Sequence, residues 1–143
     1  MIEYSIVPAQ AAHAEAMIGK VRQCDVIELM KQSLTPRRAL CNGLRFSLEK
    51  WTALASGQPI AMWGVLAPTM MSQSASPWVL CTAAMTKHKR FFVRMLRAET
   101  ARLGARYVLH GKFNPENRED CVLLRRLGFK VDGNAYWLGG TDG

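Results

Sequence analysis

Residues 117–129 read NREDCVLLRRLGF. Together with the NPE before it, this stretch predicts a short helix stopped by Gly128. The chain leaves it through FKVDGNAYWLG, a final strand or hairpin, and enters it from RYVLHGKF, another strand. Further upstream, TKHKRFFVRMLRAETARLG predicts the longest helix, closed by Gly104 as its C-cap. WVLCTAAM, an apolar run between Pro77 and the basic stretch, reads as a buried strand, and MMSQSASP before it as a loop. The last third therefore alternates strand and helix, which favours one crossover connection at the end of a mixed sheet.

The first half is organised differently. EYSIVP alternates as a strand ending at Pro8. Three helical stretches follow: AQAAHAEAMIGKVR, then CDVIELMKQS with Asp25 as its expected N-cap, then LTPRRALCNGLRFSLE. Pro36 fits the first turn of the third, and Asn42-Gly43 is expected to interrupt it. KWTALASGQPIAMWGVLAP then reads as strand WTALA, turn SGQP and strand IAMWGVLA. The expected architecture is one α/β domain over residues 1–143, a mixed sheet with helices on both faces. Its order is β-α-α-β-β-β-α-β-α-β, with residues 139–143 a flexible tail.

With 143 residues, 49% hydrophobic and 21% charged, the chain is long enough to bury a core without staples. No apolar run reaches the roughly 18 residues that span a bilayer. The opening MIEYSIVPAQ lacks the pattern of a signal peptide, so a cytoplasmic protein is expected. Cys24, Cys41, Cys81 and Cys121 are widely spaced, with no C-x-x-C and no His13, His88 or His110 at metal-ligand spacing. They read as reduced thiols, and no metal site is expected. The formal charge of +8 favours acidic partners: nucleic acid, a phosphate-bearing cofactor or an acidic protein surface. A DNA-binding role rests on charge alone, since no helix-turn-helix, zinc or RNP pattern accompanies it.

On a helical wheel Lys87, Arg90, Arg94 and Arg97 form one stripe, while Phe91, Phe92, Met95, Leu96 and Leu103 form the adjoining core face. The stripe reads as a solvated face, a phosphate site or a docking surface. Glu99 intrudes on the apolar face and needs a basic partner within the fold. Trp63, Trp78 and Trp137 are expected in sheet packing rather than on a stacking platform.

The element order and the NREDCVLLRRLGF ending resemble the GNAT superfamily of acetyl-CoA-dependent N-acetyltransferases. Many members close with N-x-x-A-x-x-x-Y-x-x-x-G-F, which Asn117 matches at the start and Gly128-Phe129 at the end. PIAMWGV, PWVLCTA, KHKRFFVRMLRAE and NREDCVLLRRLGF together look like the small GNAT-like proteins of short-tailed phages, a group that includes internal virion protein A of T7-like phages. Two departures stand out. The family's R/Q-x-x-G-x-G/A turn falls on Lys87 to Phe92, so Arg90 and Phe92 hold the glycine positions and are expected to crowd the cofactor's phosphates. The family tyrosine, an acid for the leaving thiolate, falls on Leu124; Asp120 and Cys121 lie nearby but do not match its slot.

WVLCTAAM carries no carboxylate, which leaves His110 as a weak candidate base and Cys81 with His110 as a remote nucleophile pair. From the resemblance we expect a phage protein that has lost acetyl transfer and serves in the virion, its core or its assembly. It would need no cofactor and have other phage structural proteins as partners in an oligomeric assembly. It would reside in the host cytoplasm during assembly and then in the particle. The family's sheet splays open for the cofactor's pantetheine arm; without a cofactor the gap would be closed by side chains, left wet, or its candidate edges WVLCTAAM and RYVLHGKF lent to a partner. The alternative is a divergent acetyl-CoA-dependent N-acetyltransferase acting on a host or phage amine. Thr82, Ala84, Lys87, Lys89, Arg90 and Asn117 would then hold the cofactor.

Overall fold

The computed structural model describes residues 2–67, 69 and 71–139, so residues 140–143 of the expected tail lie outside the described residues. Seven strands form a sheet in the order β1-β2-β3-β4-β5-β7-β6, and five α-helices connect them. The strands are β1 Tyr4–Pro8, β2 Ser47–Ala55, β3 Gln58–Leu66, β4 Ser74–Cys81, β5 Val108–Lys112, β6 Lys130–Asp132 and β7 Ala135–Leu138. The helices are α1 Ala11–Met17, α2 Gln23–Lys31, α3 Pro36–Phe46, α4 Lys89–Gly104 and α5 Arg118–Arg126. Two 3-10 turns, Ile18–Lys20 and Ala83–His88, complete the order. The chain clusters into two compact units: Met1–Leu66 with Trp78–Lys89, and Ala67–Pro77 with Arg90–Gly143.

In the first unit β2 and β3 form a hairpin. Ser56 and Gly57, at φ 47° and 83°, supply the two left-handed residues that a tight two-residue turn demands. β1 adds antiparallel to β2, from Tyr4 opposite Ala55 to Pro8 opposite Trp51. Helix α3 starts where Thr35 accepts a hydrogen bond from the Arg38 N–H at 3.1 Å, with Pro36 in its first turn. Met17, Leu40, Met62 and Leu80 are the centre of a core shared by helices and sheet.

Three expectations fail here for physical reasons. Asp25 does not cap α2; Arg22 occupies that position, and Asp25 sits in the first turn, bonded to the Arg22 side chain. Asn42-Gly43 does not interrupt α3, because Gly43 is a contact position: a Cβ there would lie 2.4 Å from the Trp78 ring. The Trp78 indole N–H in turn donates to Ser47 Oγ at 2.7 Å. Finally, β4 covers Ser74–Cys81, so Ser74–Pro77 is strand rather than loop, and Ala83–Met85 is turn rather than strand.

In the second unit β4 runs parallel to β5 over two register pairs, Ser74 with Val108 and Ala75 with Leu109. Pro77 has no N–H to continue that ladder. β7 lies between β5 and β6 and is antiparallel to both. Asn117 caps α5 by accepting from the Asp120 N–H at 3.1 Å. Gly128, at φ 101°, reverses the chain, and the Phe129 N–H returns to the Leu124 carbonyl at 3.0 Å. Phe129 is then buried edge-on against Tyr136, with ring centroids 5.1 Å apart.

Two substitutions test this packing. Gly43→Ala should gain up to about 1 kcal/mol from helix propensity. The Trp78 clash should outweigh that gain and leave a net loss of about 1–2 kcal/mol in chemical denaturation. Thr52 is fully buried, and its hydroxyl finds no partner among the described residues. Thr52→Val should therefore stabilise the fold by about 1 kcal/mol in the same assay.

Candidate functional site

The two edges of β4 are used differently at its C-terminal end. On one, the Thr82 N–H donates to the Ile60 carbonyl of β3 at 2.9 Å. On the other, the Cys81 carbonyl accepts from the Arg22 N–H at 3.0 Å, and Val21 faces Thr82 in an isolated bridge. Backbone groups alternate edges along a strand, so Val79 turns its N–H and C=O to the same edge as Cys81. Val79 is 40% exposed. The segment between the first 3-10 turn and α2 thus closes one end of that edge, short of Val79.

Arg22 anchors more than its backbone. Its guanidinium grips Asp25 with two bonds, Nε to Oδ2 at 3.1 Å and Nη2 to Oδ1 at 3.0 Å. The pair places a carboxylate near the end of β4, where the strand itself has none. Burial pushes the Cys81 thiol up from 9.0 to about 12, against the pull of the Arg22 guanidinium. A buried thiol held protonated is not an activated nucleophile, so the Cys81–His110 reading loses its first member. Sequence reading missed Arg22 and Asp25; their i, i+3 spacing was the available signal.

Beyond β4 the chain makes the turn Ala83–His88 and enters α4. Thr82 is buried, and its hydroxyl is directed at the Ile60 carbonyl, 3.5 Å away, so it ties β4 to β3 rather than facing a ligand. Ala84, Lys87, Lys89 and Arg90 are exposed. None of these three cations forms an ion pair among the described residues, and the first turn of α4 holds no acid. His88 accepts or shares a 2.7 Å hydrogen bond with the Tyr4 hydroxyl, which ties the basic turn to β1.

Phe92 is buried, 7% exposed, so its ring lies in the interior. The expected crowding of a phosphate seat by Phe92 is corrected accordingly; only Arg90 of the pair stands in solvent.

In the second unit Arg94 and Arg97 continue the exposed stripe. Phe92, Met95, Leu96 and Leu103 are buried on the other face, and Phe91 is half-buried. Glu99 has the basic partner its position required: Arg102, with Nη2 to Oε2 at 2.6 Å. His110 is exposed on β5, and no hydrogen bond to its ring is formed among the described residues. Nothing there orients it as a base. Leu124 is half-buried on α5, and Asn117 spends its side-chain oxygen on the helix cap. No group of three or more His, Cys, Asp or Glu fit to hold a metal occurs among the described residues. No helix among them is long and apolar enough to cross a membrane.

The strand order and the end of β4 define a GNAT fold. A putative phosphinothricin N-acetyltransferase superposes with a TM-score of 0.69 at 12% identity, covering 98% of this chain and 100% of that one. The aminoglycoside N(6')acetyltransferase of Legionella pneumophila gives 0.67 at 11%, covering 94% and 91%. A Bacillus subtilis acetyltransferase in complex with CoA gives 0.62 at 8%, covering 99% and 100%. No family model matches the sequence, and no curated protein matches it either.

Burial sorts the thiols. With a disulfide reagent at pH 8, exposed Cys24 and Cys41 should react first and half-buried Cys121 later. Cys81 should react only as the protein unfolds, which mass mapping of the labelled peptides will show.

Proposed function

We propose that this protein is a divergent acetyl-CoA-dependent N-acetyltransferase that passes an acetyl group to an amine. The observation that carries the reading is the uncompensated charge at the start of α4. Lys87, Lys89 and Arg90 stand exposed at the positive end of a 16-residue helix, with no acid in its first turn. Cations there oppose the helix dipole, at a cost of roughly 0.3–1 kcal/mol each. A bound pyrophosphate reverses the sign of that interaction. Charge then does part of what glycine amides do in the family.

The residues present fit coenzyme A on these terms. Lys87, Lys89 and Arg90 would hold its phosphates, and the Val79 edge of β4 would pair with an extended arm. Ala84 keeps the turn small, and Asn117 shapes the start of α5. Thr82 serves from behind, by fixing β4 on β3. Bound acetyl-CoA would supply the activated acyl group. The chain's own part is to seat it, hold the amine and manage one proton. Full-length likeness to several N-acetyltransferases supports this reading.

A second reading has a specific observation in its favour. Where the resemblance places the acid tyrosine, the chain carries half-buried Leu124, and exposed His110 has no partner to orient it as a base among the described residues. A GNAT-fold protein kept for virion assembly in a short-tailed phage would need neither. Its partners would be other phage structural proteins in an oligomeric assembly.

Calorimetry with CoA and acetyl-CoA, paired with a thiol-release assay over a panel of amines and peptides, separates the two. The first reading expects micromolar binding, weakened at least about tenfold by Arg90→Glu through loss of a charge-assisted contact. It also expects thiol release above background. Absence of both, with the chain present in stoichiometric amount in purified particles, would establish the second.

A further inference from the structure

Strand β1 ends the sheet, with β2 on its inner side. Residues 2–6, which lead into it and form most of it, all stand in solvent. We propose that the outer edge of β1 is a self-association surface, on which a second copy of the chain lays its own β1 antiparallel, Tyr4 facing Tyr4 across a two-fold axis. Pairing of this kind involves the first unit alone and is independent of the acetyl-transfer reading.

The backbone decides which residues can bridge two copies. The Glu3 carbonyl accepts from the Ser56 N–H at 2.7 Å, and the Ala9 N–H donates to the Lys50 carbonyl at 3.2 Å. Between them the β1–β2 register runs without a bulge, from Tyr4 opposite Ala55 to Pro8 opposite Trp51. Backbone groups alternate edges along a strand, so residues 3, 5, 7 and 9 direct theirs to β2 and residues 2, 4, 6 and 8 direct theirs outward.

Side chains alternate with the same period. The outward set begins with Ile2, Tyr4 and Ile6, which are 51%, 37% and 42% exposed. Single exposed apolar residues are ordinary, but here they take every second position of a terminal strand. Neither a lysine nor a bulge blunts that edge, so it is a template for another strand. The Tyr4 ring is held in place from its own chain: His88 shares a 2.7 Å hydrogen bond with the hydroxyl and meets the ring edge-on.

Symmetry selects the occupant. Residues 2–6 read IEYSI, with apolar side chains placed alike from either end. With Tyr4 opposite Tyr4, Ile2 of each copy meets Ile6 of the other, and every apolar position faces an apolar one. Glu3, the one charge within residues 2–8, then faces Ser5. Pro8 has no N–H to give, and it lies beyond the paired residues, so the ladder loses nothing. The neighbouring registers are worse. Setting Glu3 opposite Glu3 brings like charges face to face. Setting Ser5 opposite Ser5 draws Pro8 into the ladder against Ile2. In the favoured register β1, β2 and β3 of the two copies join as one six-stranded antiparallel sheet.

Five residues from each copy make a small interface, so association is weak and set by concentration. Each copy carries a formal charge of +8, and salt screens their repulsion.

The test is analytical ultracentrifugation of the full chain from about 1 µM to about 1 mM, the range in which small interfaces form. We expect the mass to rise from one chain to two, and to do so at lower concentration in high salt. Ile6→Lys, at an exposed position, should keep the circular dichroism of the fold and weaken association at least about tenfold. A second measurement reads the register. Glu3 and Ser5 of opposite copies form a non-hydrogen-bonded pair, with Cα atoms about 4.5 Å apart, within disulfide reach. Glu3→Cys and Ser5→Cys are made in separate chains that also carry Cys24→Ser and Cys41→Ser, which removes the exposed thiols. Under mild oxidation the mixture should form the 3-to-5 disulfide faster than either chain links to itself. A chain that stays monomeric throughout, as when the edge awaits an extended segment of a different protein, would overturn the proposal. So would a dimer indifferent to Ile6→Lys, and so would cross-linking no faster in the mixture than in the separate chains.

Discussion

Everything about this molecule turns on how the last residues of β4 spend their backbone hydrogen bonds. Thr82 gives its N–H to Ile60 and so fastens the strand's end to the β2–β3 hairpin. Cys81 offers its carbonyl to the opposite edge, where the Arg22 N–H takes it. At the strand's other end Pro77 withholds a donor, and pairing with β5 goes no further than Ala75. Between Ala75 and Cys81 lies Val79, an exposed residue whose backbone groups turn to the same edge as those of Cys81.

The chemistry that the chain lays around this strand is unevenly distributed. Charge is plentiful, with Lys87, Lys89 and Arg90 gathered at the start of α4 and Arg94 and Arg97 along it. Oriented acid–base groups are scarce. His110 stands in solvent, Cys81 is pushed up to about 12 by burial, and Asp25 is engaged by Arg22. Binding and proton transfer are separable demands on a site. The exposed cations at the start of α4 bear on the first alone.

Gly43 and Gly111 make a related point about how side chains are delivered. Each is a glycine in a regular element, at positive cost in helix or strand propensity. Each sits under a large ring, Trp78 in the first case and Tyr136 in the second. Trp78 ends in a hydrogen bond to Ser47 and completes a core, whereas the Tyr136 hydroxyl ends without a partner among the described residues. The same device holds a packed residue in one unit and an available one in the other.

The sequence by itself determined the α/β class and most element positions, because hydrophobic period and the stop at Gly128 are local signals, while the GNAT order came from the resemblance that Asn117 and Gly128-Phe129 carry. It also determined that Glu99 needs a cation and that Lys87, Arg90, Arg94 and Arg97 share a face, since helical spacing alone decides both. Tertiary structure decided the rest. Whether Phe92 crowds a ligand depends on which way its ring turns, and it turns inward. Whether Gly43 breaks a helix depends on a tryptophan 35 positions away. Arg22 with Cys81, and Tyr136 with Gly111 and Asp120, are brought together by strand register and helix placement. Long-range register leaves no periodic trace in a single sequence, and so these groups became visible only in the fold.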